Sequence, residues 1–276
     1  MSLFHVVLLA VVQGFTEFLP ISSSAHLALA PWLFGWQDQG LTFDIALHFG
    51  TLAAVMVYFF RDWLQITAMG FRLPYRPDSN LAQNPGLLWL LAVATVPVGV
   101  AGLFLDDYVE TAFRSPVLIG TMLIAVGLLM GWADRAGKRT KQIGNVSWTD
   151  GLVIGLAQAL AIVPGTSRSG ITITAGLFRN IDREAAARFS FLLSTPAIVG
   201  ASVKAFLELM EQGGVPEGMV APFVVGILAS AITGCFVISF FLKFLRRHSL
   251  RFFVYYRVVF GIIVLALALV FRPVTG

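Results

Sequence analysis

Glu17 and Arg168 are the charged residues of this chain hardest to reconcile with their neighbours. Glu17 stands in the stretch VVQGFTEFLPISSSAH, beginning at Val11, and Arg168 in GLAQALAIVPGTSRSG, beginning at Gly155. Both stretches are largely apolar, and each carries a proline followed by hydroxyl residues. A charge deep in lipid costs about 2.5–3.5 kcal/mol on insertion scales, so each needs a compensating partner. For Arg168 there are two: Glu17, as a buried ion pair, or a phosphate, whose oxygens match the planar guanidinium fork.

Gln13 and Glu17 are four apart and project from one face of a helix. With nearby hydroxyls they form an oxygen-rich edge suited to a hard divalent cation, Mg²⁺ or Ca²⁺, whose other ligands are water and substrate phosphate. Glu17 equally suits a general base. Ser22, Ser23 and Ser24 follow Pro20, and Thr166, Ser167 and Ser169 follow Pro164. Placed where a helix starts, these hydroxyls and the free backbone N–H groups form an anion cradle, although each hydroxyl alone is also an ordinary helix cap. His26, one turn beyond Ser23, is positioned for a proton shuttle or a phosphate donor, or else simply bonds a neighbour. His48 and Asp44 are read as ordinary hydrogen-bonding residues, His5 and His248 as interfacial.

The elements that position these groups follow from composition. The chain has 276 residues, 57% hydrophobic and 12% charged, against roughly 25% charged in soluble domains, so its solvent is the lipid bilayer. No cleavable signal is expected, because no basic stretch precedes the first apolar run. The lone Cys235 excludes an intrachain disulfide or a cysteine metal cluster and is read as a packing residue. The net charge of +4 lies in short loops between apolar segments, so topology explains it and no nucleic-acid partner is implied.

Six stretches are long enough to span: Leu41 to Phe60, Leu87 to Leu105, Val117 to Ala133, Phe189 to Leu207, Val220 to Leu242 and Phe252 to Phe271. Two more, about residues 3–33 and 152–178, are interrupted by Pro20 and Pro164 and are read as re-entrant helix-loop-helix hairpins. The expected fold is therefore an all-α polytopic membrane protein, six transmembrane helices plus two re-entrant hairpins. With hairpins, one side receives all the basic residues except Arg114, Arg168, Lys204 and Arg272, Arg257 being counted among them. The other side receives Arg114 and Arg272 with Asp106, Asp107, Glu110, Glu208, Glu211 and Glu217. The basic side is then cytoplasmic and both termini periplasmic.

The halves also resemble each other. Gln13 aligns with Gln158 and, after one gap, Pro20 with Pro164 and Ser23 with Ser167, while Phe43 to Leu52 tracks Phe189 to Ile198. Three spans separate the hairpins, an odd number, so residues 1–133 and 134–276 form an inverted-topology repeat within a single membrane domain.

QGFTE at residues 13–17, PISSSAH from Pro20 and PGTSRSG from Pro164 closely resemble the motifs of the bacterial undecaprenyl-diphosphate phosphatases of the bacitracin-resistance type, and the likeness covers essentially the whole chain. The resemblance implies hydrolysis of undecaprenyl diphosphate to the monophosphate, recycling the lipid carrier of cell-wall synthesis in the bacterial inner membrane. It also implies a site facing the periplasm and a divalent cation. The family's glutamate motif falls on Gln13 and Glu17, glutamine being one of two residues found at the first position. Its serine and histidine motif falls on Ser22, Ser23, Ser24 and His26, and its arginine on Arg168. The attacking group is Ser23, with Glu17 or His26 handling its proton, or an activated water.

An inverted repeat with broken helices is equally a transporter or flippase signature, and phosphate release by the purified protein separates the two. A histidine-nucleophile lipid phosphatase is set aside, since the Lys-x₆-Arg-Pro signature is absent, and a cysteine phosphatase likewise, since no arginine stands six residues after Cys235. A homodimer is left open.

Overall fold

The computed structural model describes residues 2–35, 41–110, 115–211, 213–215 and 218–270, with backbone alone at 31–33, 41–42 and 106–110. Arg114, Glu217 and Arg272, used in the charge reading, lie outside the described residues, as do the side chains of Asp106, Asp107 and Glu110. Among the described residues the fold is all-helical, with one isolated bridge between Lys141 and Ile181. The helices are α1 Leu3–Thr16, α2 Ser23–Phe34, α3 Leu41–Tyr58, α4 Phe60–Gly70, α5 Leu87–Glu110, α6 Pro116–Ala136, α7 Trp148–Ala159, α8 Arg168–Phe178, α9 Arg183–Glu211, α10 Val220–Leu245 and α11 Arg251–Val270.

Helices α5, α6, α9, α10 and α11 are long and apolar enough to cross a membrane. The stretch expected as one span from Leu41 to Phe60 instead turns at Phe59, and α4 leaves α3 at 73°, so the pair makes a sixth span only if counted together. Arg61 and Asp62 open α4, and their hydration favours leaving the bilayer axis at that point. Helix α1 and the α7 segment to Ile162 are apolar and short.

Proline alone does not produce the breaks. Pro97 and Pro196 sit inside the continuous helices α5 and α9. At the breaks, proline is joined by residues able to turn the chain: Ser22 at φ 76°, Gly165 at φ 90° and Ser167 at φ 67°. Gly165 is required there, because a Cβ would strike the Ile119 carbonyl.

Packing brings the broken pairs together. α1 lies against α10, and α7 against α5; α3 packs on α10 and α9, and α6 on α11 and α8. Close approach needs small residues: a Cβ on Gly14 would fall 2.7 Å from the Ser230 carbonyl oxygen, and one on Gly155 would overlap that of Ala94. Phe18, next to Glu17, is fully buried and meets Phe191 edge-on, centroids 5.3 Å apart, anchoring the first break to α9. At one end of the molecule Arg183 bonds Asp134, Arg188 bonds Asp62 and Asp78, Arg246 bonds Glu184, and both Lys141 and Arg179 bond Asp150 in the first turn of α7.

Candidate active site

Helix α1 ends as the chain approaches Pro20, so Gln13 and Glu17 lie at its last turn, pointing inward. Gln13 is fully buried and Glu17 is 6% exposed. Helix α2 then starts at Ser23, which turns back so that its Oγ donates to Glu17 Oε2 at 2.5 Å; Gln13 Nε2 donates to the same oxygen at 3.0 Å. From the other break, Arg168 opens α8 and donates through Nη2 to Glu17 Oε1 at 2.5 Å. Gln13, Glu17, Ser23 and Arg168 thus form one hydrogen-bonded group across the two broken segments. Glu17 is the ionic partner of Arg168, yet Arg168 Nη1 remains buried with no partner among the described residues, and so does the hydroxyl of Thr166.

The remaining hydroxyls shape the two breaks. Ser167 Oγ accepts from Gly170 N–H at 3.1 Å as the α8 cap. Ser22 and Ser24 hydroxyls pair at 3.2 Å, Ser167 and Ser169 at 3.3 Å, and Ser169 Oγ also donates to the Leu19 carbonyl at 3.1 Å, tying the second break to the first. Ser22 and Ser167, each just before its helix, share the left-handed backbone. By conformation, Ser22 corresponds to Ser167, and therefore Ser23 to Arg168, one step from the register in which Ser23 aligns with Ser167.

His26 takes the neighbour-bonding part among those expected of it, and His48 lies nearer the carboxylate than its ordinary reading implied. His26 donates from Nδ1 to the Ser22 carbonyl at 2.7 Å, so Nε2 accepts from the Tyr256 hydroxyl at 2.7 Å, and the ring stacks on Phe260. Both nitrogens are committed away from Ser23 and Glu17. His48, read as an ordinary residue, places Nε2 3.5 Å from Glu17 Oε2.

Arg257 is a correction. Counted with the basic loops, it lies inside α11, fully buried. Its Nη1 donates to the Pro20 carbonyl at 3.2 Å and its Nη2 to those of Gly165 at 2.8 Å and Thr166 at 3.0 Å, with α6 carbonyls of Met122 and Leu123 taking the rest. One guanidinium therefore holds both breaks. Its sequence signal was present: it stands well inside the apolar run from Phe252. Gln158, aligned with Gln13, is also fully buried, with neither amide atom partnered among the described residues.

Comparison with known proteins agrees over the same extent. The family model described as bacitracin resistance protein BacA matches residues 6–263. A protein named undecaprenyl-diphosphatase from Desulforudis audaxviator is 48% identical over 269 residues, covering 98% of this chain and 99% of its own. One of the same name from Pelotomaculum thermopropionicum is 46% identical over 268 residues, 97% of each chain, and undecaprenyl-diphosphatase 2 of Stutzerimonas stutzeri is 47% identical over 277 residues, 97% of this chain and 98% of its own. With its broken helices, its Ser23–Glu17–Arg168 group and this full-length match, the chain belongs to the bacitracin resistance protein BacA family.

Proposed function

We propose that this protein is an undecaprenyl-diphosphate phosphatase, hydrolysing the C55 polyprenyl diphosphate to undecaprenyl phosphate and inorganic phosphate. The observation that carries the reading is a pair of buried donors with no acceptor among the described residues: Arg168 Nη1, on the guanidinium that holds the Ser23-bonded Glu17, and Thr166 Oγ1 two residues before it. A buried donor left unpaired costs about 1–3 kcal/mol, and phosphoryl oxygens would satisfy it.

Ser23 Oγ attacks the terminal phosphorus while Glu17 Oε2 takes its proton, and the bond from that phosphorus to the bridging oxygen breaks. The proton on Glu17 passes to the departing undecaprenyl phosphate. Water then attacks the phosphoserine, restores the Ser23 hydroxyl and releases inorganic phosphate. Arg168 stays on Glu17 through Nη2 and offers Nη1 to the transferring group, with the amides at the starts of α2 and α8. Arg257 and His26 hold the breaks rather than the phosphate. Gln13 and Glu17 are the residues that would hold Mg²⁺ or Ca²⁺; Gln13 Oε1, buried with no partner among the described residues, and the Glu17 carboxylate suit a hard cation, which when bound neutralises diphosphate charge. An apolar cavity of about 570 Å³, lined by Ile45, Phe49, Val199, Phe206 and Ile227, lies along the helix that carries His48 and suits the first prenyl units.

The fold is read as an inverted repeat of residues 1–133 and 134–276, each a re-entrant hairpin plus three spans. Two observations support it. Arg179, just past α8, bonds Asp150 at the start of α7, so that pair returns to the end it left. Packing also pairs symmetrically, α1 on α10 as α7 on α5, with α3 on α9 and α6 on α11 joining the halves. The charged end is cytoplasmic, the termini and the site periplasmic, in the bacterial inner membrane.

Phosphate release from farnesyl diphosphate by detergent-purified protein tests the function. Arg168→Ala should lose roughly 10²–10³-fold in kcat, and acid quenching with terminally labelled substrate should leave label on Ser23. Full activity of Arg168→Ala would remove its phosphate role, and unlabelled protein during turnover would replace Ser23 with water.

A further inference from the structure

Helix α11 carries a cavity that the proposed reaction does not use, an open groove of about 320 Å³ lined by Phe252, Tyr255, Tyr256, Val259, Phe260 and Ile263. Residues at these spacings share one face of a helix, turned away from the face that buries Phe253, Arg257, Gly261 and Val264. The inner wall of the groove is fixed. Tyr256 donates its hydroxyl to His26 Nε2 at 2.7 Å, and the Phe260 ring stacks on the same imidazole with centroids 4.9 Å apart, so neither ring is free to fold over and fill the space. Phe252, Tyr255 and Val259 are exposed and open the groove to the surrounding lipid. One end is cationic: Arg251 stands one turn before Tyr255, exposed and without an ion pair among the described residues. Asp134, which accepts from the adjoining Leu250 amide at 3.2 Å, is already paired with Arg183 at 2.6 Å, so its charge is spent. From Phe252 to Ile263 the groove runs about 17 Å at the helical rise of about 1.5 Å per residue, close to the depth of one leaflet, about 15 Å.

We infer that this groove is a binding site for an anionic phospholipid of the bilayer, one acyl chain lying along α11 and the headgroup phosphate on Arg251. Length and charge together select this occupant. A chain entering from the charged end of the molecule fills the groove within its own leaflet, and the guanidinium fork meets phosphate oxygens at the level of the headgroups. A zwitterionic lipid brings its own cation beside the phosphate and gains less from Arg251. A second copy of this chain, docked about a twofold axis along the membrane normal, would bring Arg251 against its own image, which like charge opposes. The site goes beyond the hydrolase reading and stands without it.

Native mass spectrometry of the detergent-purified full chain tests this, with dioleoyl phosphatidylglycerol and dioleoyl phosphatidylcholine, which share their acyl chains, added at equal concentration. The unaltered protein should bind phosphatidylglycerol about fivefold more tightly, a result needing no variant. Arg251→Gln should remove that preference, and Arg76→Gln, an exposed cation in the loop after α4, should keep it. Val259→Trp, filling the groove from its exposed rim, should weaken phosphatidylglycerol binding by a similar factor. Equal affinity for the two lipids, or a preference that survives Arg251→Gln or Val259→Trp, overturns the site, and a preference lost equally in Arg76→Gln reduces it to overall charge. A dimer that Val259→Trp dissolves would give the groove to a second copy, and displacement of phosphatidylglycerol by farnesyl phosphate would give it to a prenyl lipid.

Discussion

At the scale of the residue, the two buried arginines do different work. Arg168 divides its fork between Glu17 and an open donor position, which suits a ligand that comes and goes. Arg257 spends its fork on backbone carbonyls of both breaks, which suits a fixed staple. An ammonium retains the charge but is a single point and cannot reach Pro20 and Gly165 together. Arg257→Lys should therefore lower kcat by roughly tenfold to a hundredfold with KM little changed, since misplacing reacting groups by about 1 Å has that effect. Steady-state kinetics on farnesyl diphosphate check this, and wild-type kcat in Arg257→Lys would show that charge alone suffices.

At the scale of the element, the loop after α4 is clamped rather than free. Gln65 bonds both backbone groups of Asp78, at 2.7 and 2.8 Å, while Arg188 at the start of α9 bridges Asp62 and Asp78 at 2.7 and 2.9 Å. Burial alone would raise the Asp78 carboxyl, but hydrogen bonds from Arg188 and from the amides of Asn80 and Leu81 outweigh it and hold it below the usual range. A carboxyl depressed on folding stabilises fully above its unfolded value, about pH 4, and loses that contribution as pH falls through its lower folded value. The melting temperature in detergent should thus drop below about pH 4, and Asp78→Asn should lessen the drop; identical profiles would dismiss the clamp. Hydropathy showed where the apolar segments lie but not the turn at Phe59, because Phe59 and Phe60 are as apolar as the residues before them.

At the scale of the whole molecule, the reading turns on whether the α7–α8 pair crosses the bilayer. If it returns, residues before α7 and after α9 face opposite sides; if it crosses, they share one. Single cysteines at Lys138 and Glu211 on a Cys235→Ala background distinguish the two, both positions being exposed. An impermeant maleimide should label Glu211→Cys in intact spheroplasts and Lys138→Cys only after permeabilisation. Labelling of both together would make α7–α8 a crossing, and the inverse pattern would reverse the orientation.

Membrane residence, the two broken segments and the set Gln13, Glu17, Ser23 and Arg168 were legible from the sequence alone, because lipid makes every polar residue within it expensive and so conspicuous. Which polar group meets which was not. Arg168 lies 151 residues from Glu17, and His26 lies 230 from Tyr256; helical spacing orders side chains around one axis and says nothing of the neighbour across it. Only the packing of α11 against both breaks turned Arg257 from a loop cation into a staple, and only the placement of α3 beside α1 brought His48, rather than His26, to the carboxylate.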